Sequence, residues 1–361
     1  MLPGGPAAGL AAALLLLGPA RSEEAACLAR GPEGDEAALL QLRRQPPPPP
    51  PACPAGSNVI RRVVHENTGG GPVQDGWYPG HAIEFLNVDC RPSRLDLVAN
   101  RGGLAQSFFL DGSSVVYNRP YPDQLDGTSF WPSPQSWGWP PPPAIDPTPS
   151  GDYALAYHVA VNESLPGVTL TSEVAVELGI RFRKTYWVNA TSRAVVADYE
   201  IHNVASKTQS YAPWEITRVR PEGLTFFMSG AHPPTSGTWE PLDLEFAANA
   251  TWYQQNLSAP QGKMYADTGE GWLAHTDGSI VLVKCFDKIP GDAAAPGEQQ
   301  VEIYNGVDYV EVEEQGAYAA IEAGSVLKWQ VLWQQRSLPD YLQPPEIGDE
   351  GLLAFVRAMC A

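Results

Sequence analysis

The stretch VLKWQVLWQ (Val326–Gln334) decides the fold class. Leu327, Trp329, Val331 and Trp333 recur at every second position, and successive side chains of an extended chain point to opposite faces. The four apolar residues therefore share one face of a half-buried β-strand. Working back from it, Tyr309–Glu313, Gln300–Tyr304, Ile280–Phe286 and Leu224–Met228 are short apolar-rich runs punctuated by glycine or proline. Ser210–Arg218, Ala194–Asn203, Gly167–Val188 (a pair broken at Leu178-Gly179), Tyr153–Asn162, Leu104–Leu110, Arg94–Asn100, His81–Val88 and Val59–His65 continue the pattern. No helix of 12 or more residues interrupts them, and about 14 strands in one run predict an all-β fold, a large antiparallel sandwich or a barrel. Only Asp349–Met359 has helical spacing, at Leu352, Phe355, Val356 and Met359; it is expected either to dock on a sheet or to form a tail.

One segment breaks the strand rhythm. Asp126–Pro147 (DGTSFWPSPQSWGWPPPPAIDP) holds Phe130, Trp131, Trp137, Trp139 and seven prolines. Proline removes backbone donors and fixes φ, so the expectation is a stiffened loop, neither helix nor central strand. Its indoles either cap a β-core or offer flat apolar faces to a sugar. Trp131, Gln135, Trp137 and Trp139 are thus candidate ligand contacts.

The totals narrow the class further. A net charge of −18 argues against nucleic acid and anionic membrane surfaces as partners, because both attract basic patches. Ala7–Leu17 is an apolar run too short to span a bilayer, followed by small residues, and reads as a secretory signal with an uncleaved anchor as the alternative. Six consecutive prolines, Pro46–Pro51, make a polyproline spacer of ~19 Å. The expected organisation is a signal at 1–22, a proline-rich tail at 23–57, one β-domain at 58–341 and a C-terminal tail or docking helix at 342–361. Sequons at Asn162, Asn189, Asn249 and Asn256 fit a secreted or lumenal glycoprotein with no membrane span after cleavage. The five cysteines have no metal-type spacing; one or two disulfides are expected, with the pairing open.

Several segments together resemble the galactose mutarotase-like (aldose 1-epimerase-like) superfamily. Val98–Asn118 (VANRGGLAQSFFLDGSSVVYN) is similar to its early strand–GG–strand–DG hairpin. Asp126–Pro143, Ala197–Gly223 and Val301–Trp333 resemble the Trp-Pro loop, central block and closing strands of its DUF4380 branch. The resemblance runs from about Asn58 to Leu338 and implies an antiparallel β-supersandwich with a carbohydrate-sized groove. It also implies a carboxylate base and a histidine acid on opposite sides of an anomeric centre. Glu313, in Val312-Glu313-Glu314-Gln315, stands where the family's base does, and strand geometry puts Glu311 on the same face, ~7 Å away. Where the acid is expected, this chain has Trp214 and Glu215, so the pair is not carried over intact; His232 and His275 are the alternatives. Arg218, Lys284 and Arg101 are candidates for sugar hydroxyls or an acidic sugar.

No Walker loop, GxGxxG, GxSxG, HExxH or Cys/His cluster occurs, so neither a cofactor nor a metal is expected. The sequence thus points first to a sugar- or glycan-binding protein. An epimerase-like isomerase using Glu313, and a surface protein with no sugar site, are the two alternatives.

Overall fold

The computed structural model describes residues 62–65 (backbone only), 80–99, 102–117, 126–135, 157–162, 167–255 and 259–361. All belong to one compact unit, Pro49–Ala361. The strands in chain order begin with β1 (Arg62–His65), β2 (His81–Leu86), β3 (Pro92–Val98), β4 (Leu104–Leu110) and β5 (Thr128–Ser133). Next come β6 (Tyr157–Asn162), β7 (Gly167–Ala175), β8 (Ile180–Val188), β9 (Val195–Asn203) and β10 (Gln209–Val219). The third group is β11 (Leu224–Met228), β12 (Glu245–Ala247), β13 (Ala250–Gln254), β14 (Gly262–Ala266) and β15 (Trp272–Thr276). The last are β16 (Ile280–Phe286), β17 (Val301–Asn305), β18 (Val310–Gln315), β19 (Ala319–Ile321) and β20 (Val326–Ser337).

They build two ten-stranded sheets in which every strand pairing is antiparallel. Sheet I has the order β1-β2-β3-β4-β5-β10-β18-β17-β14, with β19 also on β10; sheet II has β12-β13-β11-β15-β16-β20-β9-β8-β7-β6. The expected antiparallel all-β sandwich is what the chain forms. Its core lies between the sheets. Phe130 of sheet I stacks on Tyr199 of sheet II at 4.2 Å and meets Phe182 edge-on at 5.8 Å, while Phe108 packs against Trp333 at 6.3 Å. Trp333 and Val331, expected on one face of their strand, are both buried in this layer.

The C-terminal segment is the helix α1 (Glu350–Met359), capped by Asp349, whose Oδ1 accepts from Gly351 N at 2.7 Å. A carboxylate there satisfies donors that the first turn leaves unpaired and faces the positive end of the helix dipole. Leu352, Phe355, Val356 and Met359 are buried, so the helix docks as the spacing allowed. A disulfide between Cys285 of β16 and Cys360 fastens it.

One expectation fails. The segment read wholly as loop contains β5, an interior strand between β4 and β10. Proline is tolerated because Pro132 lies directly opposite Pro213, so neither residue's missing N–H is needed by the other. On the other side, β4 pairs with β5 only at Ala105–Thr128, and among the described residues no ladder at Pro132 requires a donor. Trp137 and Trp139 lie outside the described residues.

Candidate functional site

The site is built on the outer face of sheet I, where strand register fixes three rows of side chains. The first row is Lys263, Tyr304, Glu311 and Arg218, from β14, β17, β18 and β10. The second is Tyr265, Glu302, Glu313, Ile216 and Ser129. The third sets Gln315 beside Trp214 and Trp131. Residues between these rows, such as Phe130, Val312 and Ile303, point into the core. Period-2 geometry therefore sorts each strand into a packing half and an outer half.

The outer half is polar yet sealed. Trp131 and Trp214 meet edge-to-face at 5.3 Å and pack with Ile216 as a small separate apolar cluster. Trp214 Nε1 donates to Glu313 Oε2 at 2.9 Å, and Lys263 Nζ reaches the same oxygen at 3.0 Å and Glu302 Oε2 at 2.7 Å. Gln135 and Gln315 donate to the two oxygens of Glu302, each at 3.1 Å. Glu298 accepts from Ser133 Oγ and, at 2.7 Å, from the Gln135 N–H. Arg218 donates to Glu311 at 2.9 Å and to Ser129 at 2.5 Å, with its guanidinium 5.7 Å from the Trp131 ring. Glu313 is 0% exposed, and its Oε1 has no hydrogen-bond partner.

Burial sets the charges. Loss of water pushes the Glu313 carboxyl up to about 7; Lys263 opposes the rise and Glu311 adds to it. Burial likewise holds Glu302 well above the usual carboxylate range, against the pull of Lys263. Burial works against the Lys263 ammonium, but Glu302 and Glu313 outweigh it and keep Lys263 charged. Tyr304 and Tyr309 are raised by burial and then by Glu311, so both phenols remain hydroxyl donors at neutral pH.

The accessible rim is aromatic. Trp239, 44% exposed, meets Tyr304 at 5.5 Å; Tyr304 leads to Tyr309 at 6.5 Å, and Tyr309 to Tyr117 at 5.8 Å. These four rings run past the Arg218–Glu311 pair. Sequence reasoning missed them. Their only trace was the spacing of Tyr304 and Tyr309, two runs read simply as strands.

The structure brings together Trp131, Gln135, Trp214, Arg218, Glu311 and Glu313. It does not bring Glu215 and Lys284 to them. Glu215 is buried between the sheets, where Lys284 Nζ and Trp333 Nε1 both donate to it; Lys284 also donates to Thr217 at 2.8 Å. Neighbouring residues on one strand face opposite ways, and this odd–even step separates them from the outer rows. The two histidines are elsewhere as well: His232 is exposed beside Asp267, and His275 is buried against Thr225. Asn162 ends β6 and is exposed; Asn249 is exposed in the β12–β13 turn, and Asn189 organises a turn by accepting from Thr191 N at 2.8 Å. Asn256 and Arg101 lie outside the described residues. Among the described residues no cluster suited to a metal ion occurs, and no helix is long and apolar enough to cross a membrane.

No protein-family model and no curated protein matches the chain. Solved structures do. A TPR-domain containing protein from Parabacteroides distasonis aligns at a TM-score of 0.51 and 11% identity, over 74% of this chain and 49% of that one. The chain thus spans about half the length of that relative. A galactose mutarotase-like protein from Lactobacillus casei aligns at 0.44 and 11%, over 68% of this chain and 97% of that one. A galactose mutarotase related enzyme from Lactobacillus acidophilus aligns at 0.45 and 9%, over 69% and 96%. At such identities the likeness is one of fold, and function has to be argued from the site.

Proposed function

We propose that the protein is a carbohydrate-binding β-sandwich whose ligand docks on the outer face of sheet I. A sugar has apolar C–H faces and a ring of hydroxyls, so its site needs both flat rings and fixed hydrogen-bonding groups. The observation that carries the reading is their meeting on one sheet face: the Trp239–Tyr304–Tyr309–Tyr117 rim runs beside the Arg218–Glu311 pair, with Trp131, Trp214 and Glu313 beneath. In this reading the rings stack on the sugar and the two phenols donate to hydroxyls, while the buried Arg218–Glu311 pair braces the face beneath them. A secreted, glycosylated chain accords with it, and a mobility shift on enzymatic removal of N-glycans would test that part.

A second reading is favoured by one atom. Glu313 Oε1 has no partner while Oε2 is held twice, the disposition of a base with one oxygen fixed and one ready. Against an epimerase stands the lack of a histidine beside Glu313 among the described residues. Tryptophan fluorescence and calorimetry against a monosaccharide panel, with polarimetry of fresh α-glucose and α-galactose, separate the readings. Saturable binding that Trp214→Phe and Glu313→Gln weaken, with mutarotation at the buffer rate, supports the first. Accelerated mutarotation lost in Glu313→Gln moves the protein to the second, and no response to any sugar removes both.

A further inference from the structure

The aromatic rim of sheet I holds more rings than one sugar can cover. Trp239, Tyr304, Tyr309 and Tyr117 follow one another in steps of 5.5, 6.5 and 5.8 Å between ring centroids. Each step is comparable to the width of a single sugar ring, so a monosaccharide reaches neighbouring rings but not the whole row. Successive ring planes are also tilted, by 73°, 47° and 41°. The rings are therefore facets of a ridge and not one flat platform, and a single rigid sugar lies flat on one facet only. A chain of sugars turns about each glycosidic bond, so successive units can meet successive facets.

The fold holds the outermost facet in place ahead of any ligand. Trp239 ends a turn, its N–H donating to Ser236 O at 2.9 Å, and Gly237 within that turn has a φ of +57° that favours glycine. The segment is fastened to the edge strand β14 on both sides of the turn. Thr235 and Tyr265 exchange backbone hydrogen bonds at 2.9 and 2.7 Å, and the Lys263 N–H donates to Glu240 O at 3.2 Å. Even so, Trp239 stays 44% exposed. Tyr309 is placed by a second device: a Cβ on Gly306 would come within 3.0 Å of its ring, so the β17–β18 turn needs a bare glycine there. One exposed indole is ordinary surface. A row of rings held in fixed positions is different, because such rings give up little rotamer freedom when a ligand arrives.

We propose, resting on the sugar-binding reading above, that the ligand is a linear, uncharged oligosaccharide longer than a disaccharide. It lies along the rim with Trp239 at one end and Tyr117 at the other. Arg218 and Glu311 offset each other beneath the rings, and the chain's net charge of −18 disfavours an acidic glycan.

The test is calorimetry and tryptophan fluorescence of the full chain against cello-, malto-, manno- and chito-oligosaccharides, each from the monosaccharide to the tetramer. In at least one series, affinity should rise about fivefold with each added unit as far as the trimer, the gain expected of one further stacked ring. Trp239→Ala should shrink the tetramer-to-monosaccharide affinity ratio about fivefold. Trp239→Phe, which keeps a ring, should restore most of that ratio, whereas a folding defect would weaken the monosaccharide as well. Oligogalacturonates of the same lengths should bind more weakly than the neutral series. Monosaccharide binding that no series strengthens with length overturns this inference and leaves the sugar-binding reading standing. The same holds for a length dependence that Trp239→Ala leaves intact, or for tightest binding by the oligogalacturonates. Absence of binding at every length removes both.

Discussion

Glu313 and Glu314 are neighbours on β18, both with no exposed surface, yet they belong to different regions of the molecule. Glu313 looks outward, where Trp214 and Lys263 hold one of its oxygens. Glu314 looks inward, where neither oxygen has a hydrogen-bond partner and the Lys284 ammonium is 4.0 Å away. Burial, and then Glu215, keep the Glu314 carboxyl well above the usual range, so it is held neutral inside the sandwich. The inner group of Lys284, Glu215, Thr217 and Trp333 ties one sheet to the other. The outer group joins strands of sheet I alone. The comparison teaches that one strand pair can serve cohesion on its inner face and, in the proposed reading, recognition on its outer face.

The largest expected break is on the inner side. Lys284→Met leaves Glu215 buried without its cation and should cost about 3–5 kcal/mol in urea unfolding. If the loss is below about 1 kcal/mol, the inter-sheet pair is not a fastening. The pH dependence sharpens the contrast next. Glu313 ordinarily titrates at 4.5 and in the fold at about 7, so the native state holds an extra proton between those values. Its contribution is full below the unfolded value and is lost as pH rises through about 7. Stability should therefore fall from pH 5 to pH 8, by on the order of 3 kcal/mol from this group. Glu313→Gln should flatten part of that slope, with Glu302 and Glu314 supplying the rest in the same direction; an unchanged slope would contradict the assignment.

Lys263→Met should cost less than Lys284→Met, about 2 kcal/mol, because Glu302 has hydrogen bonds from Gln135 and Gln315 to fall back on. The same variant should abolish sugar binding, which Lys284→Met would affect only through unfolding. Ser129→Ala, which removes a hydrogen bond from Arg218, should be the mildest at about 1 kcal/mol. Its readout is weaker sugar binding with a urea midpoint lowered by only about 0.3 M.

Alternation carried most of what the sequence disclosed. It gave β20 with Val331 and Trp333 inward, the break between β7 and β8, and Glu311 sharing a face with Glu313. It did not find β5, because the rule that excludes proline from interior strands assumes a ladder on both sides of the residue, and among the described residues Pro132 has none on one. The short strands β12 to β15 and β19 were also missed; none has more than five residues, and none stands out as an apolar run of the kind that marked β11 and β17. Assigning Glu215 and Lys284 to the ligand failed for a different reason. Alternation says that two residues oppose each other, but only the neighbouring sheet says which of them is inside. The aromatic rim joins turns and strands distant in the chain, so no local pattern marks it.

The Cys285–Cys360 bond has a consequence for chain topology. It closes a covalent ring from Cys285 to Cys360, 75 positions apart, that carries β17, β18, β19 and β20, and so threads both sheets. A protease that nicks the exposed Val307 turn would therefore release no fragment, and the severed piece would separate on a gel only once a thiol reductant had opened the ring.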